Sequence, residues 1–216
     1  VQLAKLGPGS VLGELALLTG TRSATAVAAE EVELFELARR DVEELARGKP
    51  QIAEELLDYC RKRLIGALVQ TSPLFKRFDE ATRYLLVDEF QRKGFKPGSK
   101  IIKQGEPGSG LYVVATGEVE VSVSKDGGEP VVVANLSPGD VFGEISLLRD
   151  QPTTATVTAR DSVGALFLPK AAFQQVLAEP ASVREYLQSL SDDRVKATEA
   201  VQASAEVLDA DELIVL

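Results

Sequence analysis

Residues 142–148 read Phe-Gly-Glu-Ile-Ser-Leu-Leu, and residues 152–157 read Pro-Thr-Thr-Ala-Thr-Val. A Pro-Gly turn precedes this stretch, and its last residues include β-branched types that favour strands. A glutamate can accept hydrogen bonds from sugar hydroxyls. The free N–H groups of a helix N-terminus and of a loop with small side chains favour phosphate. We call residues 142–157 the cassette, and its pattern predicts a loop that wraps around a sugar phosphate.

The cassette has a second copy near the N-terminus. Residues 6–18 and 136–148 match at an offset of 130 (136 − 6). One extra loop residue in the later copy raises the offset to 131, which pairs Ala24 with Ala155. Similarity at this separation predicts two copies of one domain of about 130 residues. The first copy starts where the second is already halfway through, so its front half is absent from this sequence.

The rest of the chain predicts helices at both ends and strands between them. Residues 32–37 alternate apolar and polar side chains, which predicts a strand. Helical spacing follows from Arg39 to Leu45, from Ile52 to Gln70 and from Asp79 to Phe90. From Phe95 to Leu168 the period changes to two, and turn residues separate many short strands. This pattern predicts an antiparallel sandwich or barrel, followed by a short helix and a long C-terminal one.

Composition narrows the function classes. The net charge of −9 disfavours a nucleic-acid surface, which needs clustered Lys and Arg. The single cysteine, Cys60, rules out an intrachain disulfide, and the lack of histidine excludes histidine-based catalysis and metal sites. No apolar run reaches the roughly 20 residues that span a bilayer, and no signal peptide is visible. These features predict a cytoplasmic, non-enzymatic protein with no nucleic-acid or membrane partner.

The chain resembles the cyclic nucleotide-binding domain family. The resemblance rests on Gly105 with Gly110, on Gly117-Glu118-Val119, on Pro138-Gly139-Asp140 and on the cassette. It implies an α+β fold: an antiparallel, jelly-roll-like β-roll barrel flanked by helices, in tandem with a truncated second copy. The family fold has eight strands and a C-terminal helix that moves over the ligand.

The repeat and the resemblance together predict three regions. Residues 1–70 are the C-terminal half of a first domain with its helices, and residues 71–190 are a complete domain. Residues 191–216 are a helical, acidic tail. A half-domain cannot close its barrel, so we interpret the chain as a fragment of a longer one, or as one whose missing strands come from a second molecule.

The resemblance also implies the ligand-binding residues. Glu144 matches the position that binds the ribose 2′-hydroxyl, and Thr153 stands where the family places its phosphate-binding arginine. Loss of that bidentate pair should cost about 2–5 kcal/mol of binding energy. The predicted set in the complete copy is Phe142, Gly143, Glu144, Ile145, Ser146, Thr153, Thr154 and Ala155. The predicted set in the first copy is Gly13, Glu14, Ala16, Arg22, Ser23 and Ala24.

The first copy has the reverse pattern, because Arg22 occupies the arginine position there. In the family, the residue beside the arginine tends to be alanine or serine where the ligand is cAMP and threonine where it is cGMP. By the resemblance, Ser23 in the first copy therefore favours cAMP, and Thr154 in the complete copy favours cGMP. The intact cassette therefore belongs to the truncated domain. The cassette of the complete domain lacks the charge on which phosphate binding depends.

The predicted function is a regulatory sensor of cAMP or cGMP that transmits occupancy through its C-terminal helices. It needs no cofactor, and it acts on an effector domain or partner protein. The alternative is a degenerate, ligand-free β-roll that serves as a protein–protein interaction or dimerisation module, and pairing through the helix from Ser182 would give a homodimer. An enzyme is disfavoured because the carboxylates have no nucleophile or histidine beside them.

Overall fold

A computed structural model describes residues 5–14, 16, 25–125, 128–177 and 181–212. The predicted site residues Arg22, Ser23 and Ala24 lie outside these ranges. Over the described residues the chain forms a β-roll with helices before and after it.

The β-roll consists of two four-stranded antiparallel sheets. Their strands are β1 (Gln91–Phe95), β2 (Lys100–Ile102), β3 (Gly110–Thr116), β4 (Val119–Val123), β5 (Val131–Leu136), β6 (Val141–Phe142), β7 (Thr156–Ala159) and β8 (Val163–Pro169). One sheet has the order β1-β8-β3-β6, and the other has the order β2-β7-β4-β5. The predicted antiparallel β-roll is confirmed.

Over the described residues four helices precede the roll, one lies between β6 and β7, and two follow the roll. They are α1 (Arg39–Gly48), α2 (Pro50–Thr71), α3 (Pro73–Lys76), α4 (Glu80–Glu89), α5 (Glu144–Arg149), α6 (Lys170–Leu177) and α7 (Ala181–Glu212). Proline opens α2 and α3, where its missing N–H is harmless. Asp79 caps α4 by accepting a 2.8 Å hydrogen bond from the Thr82 N–H. The predicted boundary at residue 190 falls inside α7, so the predicted tail continues that helix.

Alternation along β3 divides the core in two. Leu111 and Val113 pack with the helices in one buried cluster, whereas Tyr112 and Val114 pack between the two sheets in another. The helix-side cluster joins α2, α3, α4, α6 and α7 to the outer face of the β1-β8-β3-β6 sheet. This packing fixes where α7 begins, because Val183 and Leu187 near its start are fully buried.

The strand predicted at residues 32–37 is wrong for this structure. No strand forms from residue 31 to 38, and Val32, Leu34 and Phe35 are exposed. In the complete copy the corresponding strand is β8, which pairs with β1 and β3. The repeat offset of 130 gives the counterparts of β1 and β3 numbers below 1. Alternation predicts a strand's faces, but a strand also needs neighbours to satisfy its N–H and C=O groups.

Candidate functional site

The cassette begins at a sharp turn between β6 and α5. Gly143 occupies the turn with φ +86°, a backbone conformation that residues with a Cβ atom disfavour. A Cβ atom on Gly143 would lie 2.6 Å from the Gly110 carbonyl oxygen. On the other side of the turn the Tyr112 and Phe142 rings stack with centroids 4.9 Å apart. These contacts fix the direction in which Glu144 leaves the sheet.

We expect Gly143→Ala to destabilise the chain by about 1–3 kcal/mol and to weaken ligand binding, because it combines a strained φ with a backbone clash. The measurement is urea unfolding together with a binding titration. Gly98→Ala is the matched control, since Gly98 has φ +78° and no atom within 4 Å of its Cβ position. Equal losses in the two variants would contradict a role for the Gly110 contact.

An open cavity of about 660 Å³, including its solvent-filled mouth, lies between the cassette, the β2-β7-β4-β5 sheet and α7. All eight residues predicted in the complete copy line it. The other lining residues are Ile102, Val121, Val133, Ala134, Leu136, Val157, Arg194, Ala197 and Thr198. The structure therefore brings the predicted set together, and their roles in binding stay predictions.

Glu144 is the acidic group of this cavity, and only 1% of the residue is exposed. Arg194 of α7 donates from Nη1 to Glu144 Oε1 at 2.7 Å and to the Val141 carbonyl oxygen at 2.7 Å. The ion pair satisfies a carboxylate that would be costly to bury alone. It also ties α7 to the group that the family resemblance assigns to the ribose.

A second arginine links the cassette helix to α7. Arg149 donates from Nη2 to Asp192 Oδ1 at 2.7 Å and from Nε to Ser191 Oγ at 3.3 Å. Its guanidinium is therefore engaged by α7 rather than by the cavity. Together the Arg149 and Arg194 contacts hold one stretch of α7 against both ends of the cassette helix.

Thr153 is directed at the backbone of the neighbouring loop. Its Oγ1 lies 2.5 Å from the Lys103 carbonyl oxygen and 3.0 Å from the Glu106 carbonyl oxygen, and its single proton is shared between these two acceptors. Its own N–H donates to the Glu106 carbonyl at 2.9 Å, and its carbonyl accepts from Gly105 N–H at 2.8 Å. The residue is thus a structural part of the loop, and it supplies no charge to the cavity.

Arg194 is the functional candidate that the sequence reading missed. The signal for it lies in the repeat, because Arg63 and Arg194 differ by the post-loop offset (194 − 63 = 131). In the first copy Arg63 Nε donates to Glu14 Oε1 at 3.0 Å, and Glu14 is buried. Gly13 has φ +81°, as Gly143 has φ +86°. The glutamate–arginine pair therefore occurs in both copies. Ala16, which is also in the predicted set of the first copy, is partly buried.

A titratable phenol lies near this ion pair on α7. Burial raises the pKa of Tyr186, although the nearby Arg194 and Arg77 guanidinium groups act in the opposite direction. The Arg77 guanidinium also lies 4.5 Å from the centroid of the Tyr186 ring. Tyr186 is therefore neutral near pH 7, and it adds no charge to the α7 contact.

Among the residues that the structure describes, no group of three or more Cys, Asp or Glu side chains is arranged to hold a metal ion. No described helix has the length and apolar character that crossing a membrane requires.

Comparison with known proteins identifies the domain. A family model for the cyclic nucleotide-binding domain matches residues 1–49 and 92–179. The two matched segments correspond to the truncated and complete copies of the repeat. Together they cover more than half of the chain.

Several of the similar proteins are regulatory subunits of protein kinase A. A cAMP-dependent protein kinase regulatory subunit from Yarrowia lipolytica is 35% identical over 180 residues, which are 82% of this chain and 44% of the relative. The regulatory domain of Toxoplasma gondii protein kinase A, solved with cAMP, is 26% identical with a TM-score of 0.59, covering 87% of this chain and 69% of that one.

A third similar protein is the regulatory subunit of a cAMP-independent protein kinase A from Trypanosoma cruzi, solved with bound guanosine. It is 30% identical with a TM-score of 0.58, covering 68% of this chain and 50% of that one. The chain thus spans about half the length of the Yarrowia and Trypanosoma proteins. The family match, the β-roll and the cassette agree, and the chain belongs to the cyclic nucleotide-binding domain family.

Proposed function

We propose that this chain is the nucleotide-sensing part of a regulatory protein of the protein kinase A type. In this proposal a ligand in the cavity shifts the equilibrium between docked and undocked positions of α7, and that equilibrium acts on a separate catalytic partner. The relatives are regulatory subunits, which supports a role without catalysis of its own. Within the cavity the Ser146 hydroxyl donates to the Gly143 carbonyl oxygen and the Glu144 carboxylate accepts from Arg194, so both groups are engaged in structural contacts.

One observation carries the proposal: Glu144, buried in the cavity, is bonded to Arg194 of α7. A ribose hydroxyl that approaches Glu144 meets the carboxylate oxygen that Arg194 already occupies. Ligand and helix then share one acceptor, so occupancy has a different free energy in each helix position. Such differential affinity is what a ligand needs to shift a conformational equilibrium.

The ligand we propose is a purine ribonucleoside or its cyclic monophosphate. The Glu144 carboxylate suits the ribose, and the largely apolar walls of the cavity suit a base. Thr153 removes the phosphate-binding charge that the family places in the cassette. The Toxoplasma protein was solved with cAMP and the Trypanosoma cruzi protein with guanosine, so both ligand types occur among similar structures.

Calorimetric titration of the chain with cAMP, cGMP and guanosine tests this proposal. An Arg22→Ala background removes the cassette arginine of the first copy, so the part of the signal that depends on phosphate then comes from the complete copy. We expect saturable binding of at least one ligand, and we expect Glu144→Gln to weaken it about 10-fold or more, because a charged acceptor is replaced by a neutral one.

Two results would contradict the proposal. The first is that none of cAMP, cGMP and guanosine binds the Arg22→Ala chain. That result would favour the alternative, a ligand-free β-roll that serves as an interaction or dimerisation module. Binding that Glu144→Gln leaves unchanged would show that the ligand sits elsewhere. Circular dichroism of the variant checks that the fold is retained.

A further inference from the structure

The cavity contains a cation, and it comes from α7 rather than from the cassette. Of the described residues that line the cavity, Glu144 and Arg194 are the charged ones. The rest are apolar side chains, a glycine and hydroxyl groups. The ion pair makes the cavity neutral overall while α7 is docked.

Other nearby basic side chains are already engaged by acidic partners. Arg149 is bonded to Asp192 on α7, with 2.7 Å between Nη2 and Oδ1. Lys103, next to the Thr153 loop, has its Nζ 3.6 Å from Glu106 Oε1. Neither side chain lines the cavity. An anion that enters the site therefore meets Arg194 first.

The geometry of Arg194 leaves it able to bind a second partner. Its hydrogen bonds to Glu144 Oε1 and to the Val141 carbonyl oxygen both use Nη1. The same planar group carries further N–H donors on Nη2 and Nε, and a guanidinium fork matches phosphate oxygens well. The side chain is 24% exposed, so it is anchored and still reachable from the cavity.

We propose that Arg194 is the phosphate-binding arginine of this domain, supplied by α7 in place of the one that Thr153 replaces in the cassette. This inference rests on the proposed function, since it assumes that a nucleotide occupies the cavity. It identifies Arg194 as the residue that decides between a phosphorylated ligand and a neutral nucleoside.

The charges then determine how each ligand affects α7. If α7 moves away, Arg194 leaves and the buried Glu144 remains as an uncompensated negative charge. An anionic ligand would face that charge, so it favours the docked helix. A neutral nucleoside is not repelled by the unpaired Glu144 carboxylate, and its ribose hydroxyl competes with Arg194 Nη1 for that carboxylate. A cyclic monophosphate therefore keeps α7 docked, whereas a nucleoside favours its release.

Titration of Arg194→Gln with cAMP and with guanosine, in the Arg22→Ala background, tests the inference. We expect the variant to lose about 10- to 100-fold in cAMP affinity, because a charge-assisted hydrogen bond is removed. Guanosine affinity should stay the same or rise. Arg194→Lys keeps the charge but not the guanidinium fork, so it should lose less cAMP affinity than Arg194→Gln while its affinity stays below that of the parent chain, which protects the test against a folding defect in the glutamine variant.

Arg63→Gln is the matched control, since it removes the equivalent arginine of the first copy. It should leave the ratio of cAMP to guanosine affinities unchanged. If the parent chain binds cAMP and Arg194→Gln binds it equally well, this inference is overturned while the proposed function stands. If the parent chain binds none of cAMP, cGMP and guanosine, both are overturned.

Discussion

Thr153→Arg should raise the affinity of the complete domain for cAMP by a factor of about 30 to several thousand. The family resemblance places its phosphate-binding arginine at this position, and a charged contact to a desolvated phosphate is worth about 2–5 kcal/mol. Thr153 lines the cavity and is 7% exposed, so an arginine there starts at the cavity wall. Calorimetric titration in the Arg22→Ala background measures the gain.

The substitution also removes the bonds from Thr153 Oγ1 to the carbonyl oxygens of Lys103 and Glu106. Thr153→Val removes the same hydroxyl without adding charge, so it isolates the effect of the lost bonds. We expect the valine variant to lose about 1 kcal/mol of stability, because one shared hydroxyl hydrogen bond is removed, and to gain no cAMP affinity. Guanosine affinity should be similar in all three proteins, because guanosine carries no phosphate.

Combining Thr153→Arg with Arg194→Gln tests whether the two arginines have the same role in cAMP binding. If Arg194 supplies the missing charge, Thr153→Arg should restore cAMP binding to the Arg194→Gln variant. If Thr153→Arg folds normally and cAMP affinity does not rise, the cavity has lost more than one charge. The degenerate β-roll would then be the better description of the complete domain.

The sequence was sufficient for the fold and for eight of the seventeen described residues that line the cavity. The cassette and the 130-residue repeat predict the β-roll, because glycines, turn residues and alternating strands are local signals. Gly143 and Glu144 are close in the chain to the turn that positions them. Their place in the cavity therefore follows from the cassette itself.

Arg194 could not be placed in the same way. It lies 50 residues after Glu144 (194 − 144) on a helix whose polar face reads as ordinary solvated surface. Its position depends on how α7 packs, which Val183 and Leu187 set through tertiary contacts. The strand predicted at residues 32–37 is wrong for the related reason that pairing partners are not encoded in a strand's own pattern.

Phe75→Ala should lower the free energy of unfolding by about 3–5 kcal/mol, the usual cost of emptying a fully buried aromatic site. Phe75 is 0% exposed in the core cluster that joins the helices to the β-roll. Its ring centroid lies 5.9 Å from that of Phe90 and 6.3 Å from that of Phe78. Its carbonyl oxygen accepts a 2.9 Å hydrogen bond from Arg83 Nε.

Phe35→Ala is the matched control, because the same atoms are removed from a side chain that is 98% exposed. We expect a change within about 0.5 kcal/mol for this variant in urea unfolding. Phe75→Leu, which keeps most of the volume, should lose less than about 1.5 kcal/mol. A loss below about 1 kcal/mol in Phe75→Ala would contradict the helix-side core as the main link between α7 and the roll.

Phe75→Ala and Arg194→Gln together test how ligand binding in the cavity is coupled to the position of α7. The helix-side core anchors α7 near Val183 and Leu187, whereas the Arg194 contact to Glu144 holds it farther along. A ligand that displaces Arg194 then moves the distal part of α7 while its start stays packed. Phe75→Ala loosens the anchored part, so it should lower stability and leave the ligand affinity of the folded fraction unchanged. Arg194→Gln should change ligand preference, and any loss of stability in that variant should come from the unpaired, buried Glu144 carboxylate rather than from the helix-side core.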